Sequence, residues 1–181
     1  MGPLIKYTKR LLLRVEDSTR AQDVLDLYLR NRYAFELYEP TRPDDFYSLA
    51  YHETAMHREY LAYTLGQFLR YYIYLKDYPD KIVGAINFNF YQGTDGPYVE
   101  LGYKVDTAYQ NVGIAYEACE AGFDVIREHY DIHRVDARIH PDNAASLSLA
   151  HKLGFAPVCY EPQSANIMGH YVDLVRHSRI I

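Results

Sequence analysis

Between residues 70 and 105 the chain carries three strand-like stretches separated by connections too short for a crossover. Residues 70–78, Arg-Tyr-Tyr-Ile-Tyr-Leu-Lys-Asp-Tyr, are rich in the aromatic residues that suit a pleated surface. Tyr78-Pro79-Asp80-Lys81 reads as a turn with proline at its second position. Residues 82–91 alternate as a returning strand, Gly93-Thr94-Asp95-Gly96-Pro97 supplies the next turn, and residues 98–105 form a third strand. Three antiparallel strands are therefore expected at the centre of the chain.

The flanks show helical as well as strand patterns. Residues 10–16 predict a first strand. Asp17-Ser18-Thr19 is a helix start, and Ala21, Val24, Leu25, Tyr28 and Leu29 recur at helical spacing, predicting a helix over 19–31. Residues 33–45 are aromatic, acidic and broken by Pro40 and Pro43, which predicts a loop with room for a short helical turn. Residues 46–69, without internal proline, predict a helix. Downstream come a helix over 113–129, an alternating strand over 133–140, and a helix over 143–153 ended by Gly154. Strands over 155–161 and 166–176 are joined by a loop containing Pro162. The order βαα, βββ, αβ, αββ predicts one α+β domain over residues 1–181 rather than a regular βαβ array.

Composition narrows the function classes. With 181 residues a single full core is available. A net charge of -5 excludes a nucleic-acid binder relying on bulk positive charge. The two cysteines, Cys119 and Cys159, exclude a disulfide framework and a Cys-only zinc site. The run Leu11-Leu12-Leu13 is too short for a signal peptide, and no stretch approaches the roughly 18 apolar residues of a spanning helix. A soluble cytoplasmic protein without membrane partners is expected. His52-Glu53 followed by His57 misses a zinc-helix motif, because residues five apart leave a helix on different faces. No metal is expected.

Two stretches carry chemistry. Gln110-Asn111-Val112-Gly113-Ile114-Ala115 lies between a strand and a helix. Successive N–H groups and a helix N-terminus there form an anion-binding concavity, and Gly113 lets the backbone approach a phosphate closely. The same glycine also reads as a packing or capping device. In Ile139-His140-Pro141-Asp142-Asn143-Ala144-Ala145-Ser146, Asp142 and Asn143 read as helix-start residues. Asn143 also reads as a partner for an amide-bearing ligand, with Ser146 on the same side.

Together these stretches resemble the GCN5-related N-acetyltransferase family. Its acyl-CoA signature, Gln/Arg-x-x-Gly-x-Gly/Ala opening a helix, is matched by Gln110, Gly113 and Ala115, with Leu153-Gly154-Phe155 following. Glu100-Leu101-Gly102-Tyr103, His133-Arg134-Val135 and Asn143-x-x-Ser146 look most like the ribosomal-protein N-acetyltransferase branch, the RimJ/RimL type. The resemblance implies a mixed, mostly antiparallel sheet of about seven strands flanked by about four helices. Two positions depart from the pattern. Asn111 stands where the loop usually carries glycine, and asparagine tolerates positive φ. Ala150 stands where much of the family has a tyrosine acid, which argues against the branches that depend on it.

The activity implied is transfer of acetyl from acetyl-CoA to a primary amine, most naturally a protein N-terminal α-amine. An α-amine of pKa near 8 is about a tenth neutral at pH 7, against roughly 0.04% for a lysine amine, so a weak base suffices. Glu100, on the strand over 98–105, is the first candidate for that base and Glu161 the second, although a strand glutamate also reads as an exposed charge; the resemblance implies Ser146 as partner of the leaving thiolate. Tyr103, Val105, Gln110, Asn111, Val112, Gly113, Ile114, Ala115 and Asn143 would hold the cosubstrate. Tyr33, Glu36, Tyr38 and Glu39, in the acidic, aromatic segment 33–45, would face the acceptor. The alternatives are a small-amine acetyltransferase, acting on a polyamine or aminoglycoside, and a CoA-binding sensor without catalysis. A homodimer paired through Ile167 to Arg176 is compatible with the sequence.

Overall fold

The computed structural model describes residues 1–181. Its centre is one eight-stranded sheet in the order β1-β2-β3-β4-β5-β6-β8-β7. The strands are β1 (Ile5–Tyr7), β2 (Leu11–Arg14), β3 (Phe68–Leu75), β4 (Tyr78–Gly93), β5 (Gly96–Val105), β6 (Arg134–Ile139), β7 (Ala156–Ile167) and β8 (His170–Ile180). The helices are α1 (Ala21–Arg30), α2 (Arg32–Glu36), α3 (Leu49–Thr64), α4 (Ile114–Tyr130) and α5 (Ala144–Lys152). Only β5 and β6 are parallel neighbours; every other pair is antiparallel.

Sheet and helices bury two cores. Val99, Leu101 and Val105 of β5 and Val135, Ala137 and Ile139 of β6 pack with α4 and α5 on one face. Val24, Leu27 and Tyr28 of α1, Phe46 and Met56 pack on Tyr72, Tyr74 and Ala85 on the other. Glycine sets the closest approach of α4, because a Cβ on Gly122 would stand 2.7 Å from Phe88 and 2.8 Å from Ile86.

The expected meander is present, with an additional strand and helix. β1 pairs with β2 through a short turn in which the Leu11 N–H donates to Thr8 Oγ1 at 2.8 Å. Helix α2 occupies the start of the segment expected as a loop. The predicted helix over 46–69 ends earlier, at Thr64. Gly66 adopts φ 68° there, with its N–H donating to Tyr63 O and that of Gln67 to Ala62 O, a Schellman stop. The turn expected at Tyr78–Lys81 falls at Lys76 and Asp77, and Pro79 lies inside β4. Its missing donor is tolerated because β5 does not pair with β4 until Gly84.

Pro162 likewise lies within a strand. β7 is an outer strand of the sheet, and its register shifts between Glu161 and Ala165. An edge irregularity of this kind accommodates proline. The hairpin to β8 turns at Met168 and Gly169, both at positive φ, as a two-residue type I′ loop requires. β8 is paired with β7 from His170 and with β6 as well from Val175 onward, so β7 carries the outer edge of the sheet. No helix is long and apolar enough to cross a membrane.

Candidate active site

β5 and β6 pair only at Val99↔Val135 and Glu100↔Asp136. Beyond them β5 continues to Val105 beside β4, and β6 continues to Ile139 beside β8, without pairing to each other. The sheet therefore opens into a notch whose β5 side is an unpaired strand edge from Leu101 to Val105. Such an edge offers N–H and C=O groups to an extended ligand.

The chain leaving β5 is anchored before it reaches α4. Buried Asp106 accepts from the Ala108 N–H at 3.1 Å and from Arg30 Nε at 2.5 Å. Burial raises its pKa, but the bonds from Arg30 and Ala108 outweigh that and hold it below the ordinary value. Asn31 Oδ1 accepts from both the N–H and the hydroxyl of Thr107 at 2.9 Å. Gln110 folds back to donate to Val105 O at 3.1 Å. Asn111 then takes φ 61° and Gly113 φ 83° as the N-cap of α4.

Positive φ at these two residues turns the next amides outward. No backbone N–H from Asn111 to Tyr116 finds a partner in the protein; that of Glu117 is the first, donating to Gly113 O at 3.1 Å. A row of free donors at a helix N-terminus binds anions. Ile114 is buried and Ala115 packs against the same core, so the loop rests on an apolar base, while Val112 is exposed.

Arg10, which the sequence reading did not single out, braces this loop from beneath. Its Nε donates to Glu117 Oε2 at 2.7 Å and its Nη1 to Val112 O at 2.8 Å. Glu117 also accepts from the Thr8 hydroxyl at 2.6 Å and the Arg10 N–H at 2.7 Å. Burial raises the Glu117 pKa, but these bonds from Thr8 and Arg10 hold it below the ordinary range. No sequence signal connects Arg10 with a partner 107 residues away.

Across the notch, Asn143 caps α5, its Oδ1 accepting from the Ser146 N–H at 3.1 Å. Its carboxamide N–H₂ remains available to donate. Tyr103 reaches over from β5, its hydroxyl donating to Ser146 O at 3.2 Å. Burial pushes the Tyr103 phenol up to about 12, so it is protonated at neutral pH. Ala150 is buried in the core between α5 and the sheet.

Glu100 lies on the opposite sheet face, alternating with Val99 and Leu101 of the core. It forms a two-point pair with Arg138, Nε to Oε2 at 2.9 Å and Nη2 to Oε1 at 3.0 Å. Glu161 pairs with Arg176 through a single contact, Nη2 to Oε1. Alternation along β6 also brings His140 to this face. Its Nδ1 accepts from the Asp142 N–H at 3.1 Å, and its ring lies 5.7 Å from that of Tyr38. The Tyr38 hydroxyl donates to Asp142 O at 3.2 Å, which brings the segment after α2 to the mouth of the notch.

Two of the four carboxylates of that segment, Glu36 and Glu39, are paired within the protein. Glu36 accepts from the Tyr47 hydroxyl at 2.6 Å and pairs with Arg32 at 3.2 Å. Glu39 pairs with Lys104 and Arg42, both at 2.8 Å. Phe35 and Phe46 are buried against Tyr28, whereas Tyr33 is 77% exposed. The segment is tied to the β7–β8 hairpin by Thr41, whose N–H donates to Asn166 O at 2.8 Å and whose Oγ1 accepts from the Gly169 N–H at 3.0 Å.

Cys119 is a buried thiol pushed well up by burial, which suits packing rather than nucleophilic work. His52 is buried while His57 is exposed, and no group of three or more His, Cys, Asp or Glu side chains gathers to hold a metal ion.

Known proteins share this fold. The chain is 27% identical over 175 residues to the [ribosomal protein uS5]-alanine N-acetyltransferase of Escherichia coli strain K12, covering 93% of this chain and 86% of that one. Its fold matches the crystal structure of ribosomal-protein-S5-alanine acetyltransferase from Vibrio fischeri with a TM-score of 0.90, at 21% identity, over 98% of this chain and 97% of that one. It matches Mycobacterium smegmatis RimJ in complex with CoA-disulfide with a TM-score of 0.87, at 19% identity, over 97% of this chain and 86% of that one. The family model described as acetyltransferase (GNAT) domain matches residues 10–156, and the chain belongs to that family.

Proposed function

We propose that this protein transfers acetyl from acetyl-CoA to the α-amine of a protein N-terminus, with residues 1–181 acting as one cytoplasmic domain. The observation that carries the reading is the free row of N–H groups from Asn111 to Tyr116 beside the unpaired edge of β5. The ribosomal-protein N-acetyltransferases among its relatives support a protein N-terminus as acceptor.

The residues present fit acetyl-CoA, which supplies a reactive acyl thioester when bound. The amides around Asn111, Val112, Gly113, Ile114 and Ala115 would hold the diphosphate, and Gln110 keeps the loop closed onto β5. The free edge through Tyr103 and Val105 would take the amides of the pantetheine arm, with the Asn143 carboxamide donating to an oxygen. The Ser146 hydroxyl would donate to the sulfur as it leaves. Glu100, directly or through a water, would accept the proton of the incoming amine, with Arg138 fixing its orientation. Tyr38 and Tyr33 would flank the acceptor. Glu36 and Glu39 are already paired with Arg32, Arg42 and Lys104, which supports an acceptor bound through its main chain over a polycation held by carboxylates.

Thiol release measured against N-terminal peptides, lysine peptides, polyamines and aminoglycosides tests the reading. Turnover confined to free N-terminal peptides is expected. Turnover on small amines alone would replace the acceptor, and acetyl-CoA binding without turnover on any of them would favour a sensor. Ser146→Ala is expected to lower kcat about tenfold with little change in KM, the size of one hydrogen bond made in the transition state. An unchanged kcat would remove Ser146 from the chemistry.

Arg10→Gln is expected to weaken acetyl-CoA binding about tenfold, because the loop loses a charged brace worth roughly 1–2 kcal/mol. Calorimetric titration checks this, and an unchanged Kd would show that the loop holds its shape without Arg10.

A further inference from the structure

Beside the notch, on the sheet face of Glu100, stands a polar side chain that the fold does not use. Ile86 and Phe88 of β4 belong to the core under α4, so Asn87 between them faces the other way, as Glu100 does. Asn87 pairs with Gly102 on the unpaired-edge stretch of β5. A Cβ on Gly102 would lie 2.8 Å from Asn87 Oδ1, 2.9 Å from Nδ2 and 3.2 Å from Cγ. Both polar atoms are nearer than Cγ, so the carboxamide points end-on into the space above Gly102. Gly102 is not among the glycines at positive φ, so what it supplies here is that space.

Asn87 is half-buried, and its carboxamide makes no hydrogen bond within the protein. The charged groups around it are engaged elsewhere. Arg70, opposite Asn87 on β3, bonds Glu59 and Tyr72. Lys104, the next residue after Gly102 on this face of β5, bonds Tyr28 and Glu39. Glu100, the residue before Gly102 on the same face, is held by Arg138. A carboxamide, with one acceptor and two donors, is thus left open beside a strand position about 7 Å from Glu100.

We propose that Asn87 binds the end of the acceptor and selects an α-amine over a side-chain amine or a polyamine, an inference that rests on the acetyl transfer proposed above. In a peptide N-terminus a single carbon separates the amine from the first carbonyl. The amine N–H would donate to Asn87 Oδ1 while that carbonyl accepts from Nδ2. A lysine side chain or a polyamine offers the donor alone and leaves Nδ2 unmatched, and a group built to pair with a substrate atom discriminates against substrates lacking it. The nitrogen held there lies between Asn87 and Glu100, since two hydrogen bonds of about 3 Å span groups about 6 Å apart. Its lone pair would attack the thioester carbonyl lying on the β5 edge. The C–N bond forms, the C–S bond breaks, the thiolate leaves toward Ser146, and the amine proton passes to Glu100 directly or through a water.

The test compares acetylation rates of the full chain with those of Asn87→Val, which suits a strand and removes both hydrogen bonds. The acceptors are a peptide with a free N-terminal alanine, the same peptide with its first carbonyl changed to a thiocarbonyl, and spermidine. Asn87→Val is expected to lower kcat/KM for the peptide about tenfold, with the Kd for acetyl-CoA and the Tm near those of the wild type. The thiocarbonyl, a weaker acceptor, should cost the wild type about threefold and cost Asn87→Val nothing further. Rates with spermidine should be equal in the two proteins. Gly102→Ala, whose Cβ would take the space into which the carboxamide points, should reproduce the loss, with circular dichroism reporting a folded protein. Asn87→Ala carries the same comparison if Asn87→Val does not fold. Wild-type kcat/KM for the peptide in the folded Asn87 variant, or an equal thiocarbonyl cost in both proteins, would overturn the inference while acetyl transfer to an α-amine stands. A wild type that acetylates spermidine and not the peptide, or neither, would overturn the α-amine reading and this inference together.

Discussion

Gly84→Ala is expected to destabilise the protein by about 2–3 kcal/mol, the range of a forced overpacking. The effect is unusual for a strand glycine, where alanine normally gains roughly 0.5–1 kcal/mol. At Gly84 a Cβ would stand 2.5 Å from Lys104 O and 3.2 Å from Val105 Cα. Both are backbone atoms, so no side-chain rotation relieves the clash. The chain must instead separate β4 from β5 where Gly84 pairs with Val105. That point lies at the far end of the notch's β5 edge and leads into the Asn111–Ala115 loop, so the same substitution should raise KM for acetyl-CoA. For a domain of this size the stability loss corresponds to roughly 5–10 °C in Tm. Thermal unfolding measures it, and a Tm within about 2 °C of wild type would show that β5 moves aside without cost.

Lys104→Met is the second large effect. Lys104 is 13% exposed and links β5 to segment 33–45 through Glu39 at 2.8 Å. Removing the ammonium leaves a half-buried carboxylate with Arg42 alone. Breaking a buried pair from one side costs about 3–5 kcal/mol, and the remaining arginine reduces this to roughly 2–3 kcal/mol. The pH dependence identifies the source. Burial raises the Glu39 pKa, but Lys104 and Arg42 outweigh it and hold the carboxyl below its ordinary value. Folded Glu39 thus binds its proton less readily than unfolded Glu39, whose pKa is near 4.3. The stability this contributes is complete above that value and is lost as pH falls through the lowered folded one. In Lys104→Met the depression shrinks, so stability should be lower at neutral pH and fall less steeply on acidification. Tm measured from about pH 3 to pH 8 separates this from packing loss, which would give a constant offset across that range.

The legible parts of the fold were those with local causes. Aromatic strands and tight turns carried the meander of β3, β4 and β5, and helical spacing carried α1 and α4. β1 was missed because three residues hold too little pattern. Residues 155–176 were read as strands broken at Pro162 because sequence does not show that β7 is an outer strand, where proline is tolerated. In the site, Gln110–Ala115 was visible because one contiguous run makes the turn, the positive φ at Asn111 and the helix start.

What sequence alone determined here is the order of elements and the turn and helix start over Gln110–Ala115, both products of short-range backbone preference. Tertiary structure decided which charges are available. The acidic residues of segment 33–45 looked like a cation site, yet Glu39 meets Lys104, 65 residues away, and is neutralised. Glu100 is held by Arg138 across the only parallel pair of the sheet, and Arg10 reaches under the loop from the other end of the chain. The notch itself has no sequence signal, because it arises where two strands stop pairing after Glu100↔Asp136. Backbone preferences are set by neighbours in the chain, whereas ion pairs and cavities depend on groups that only folding brings together.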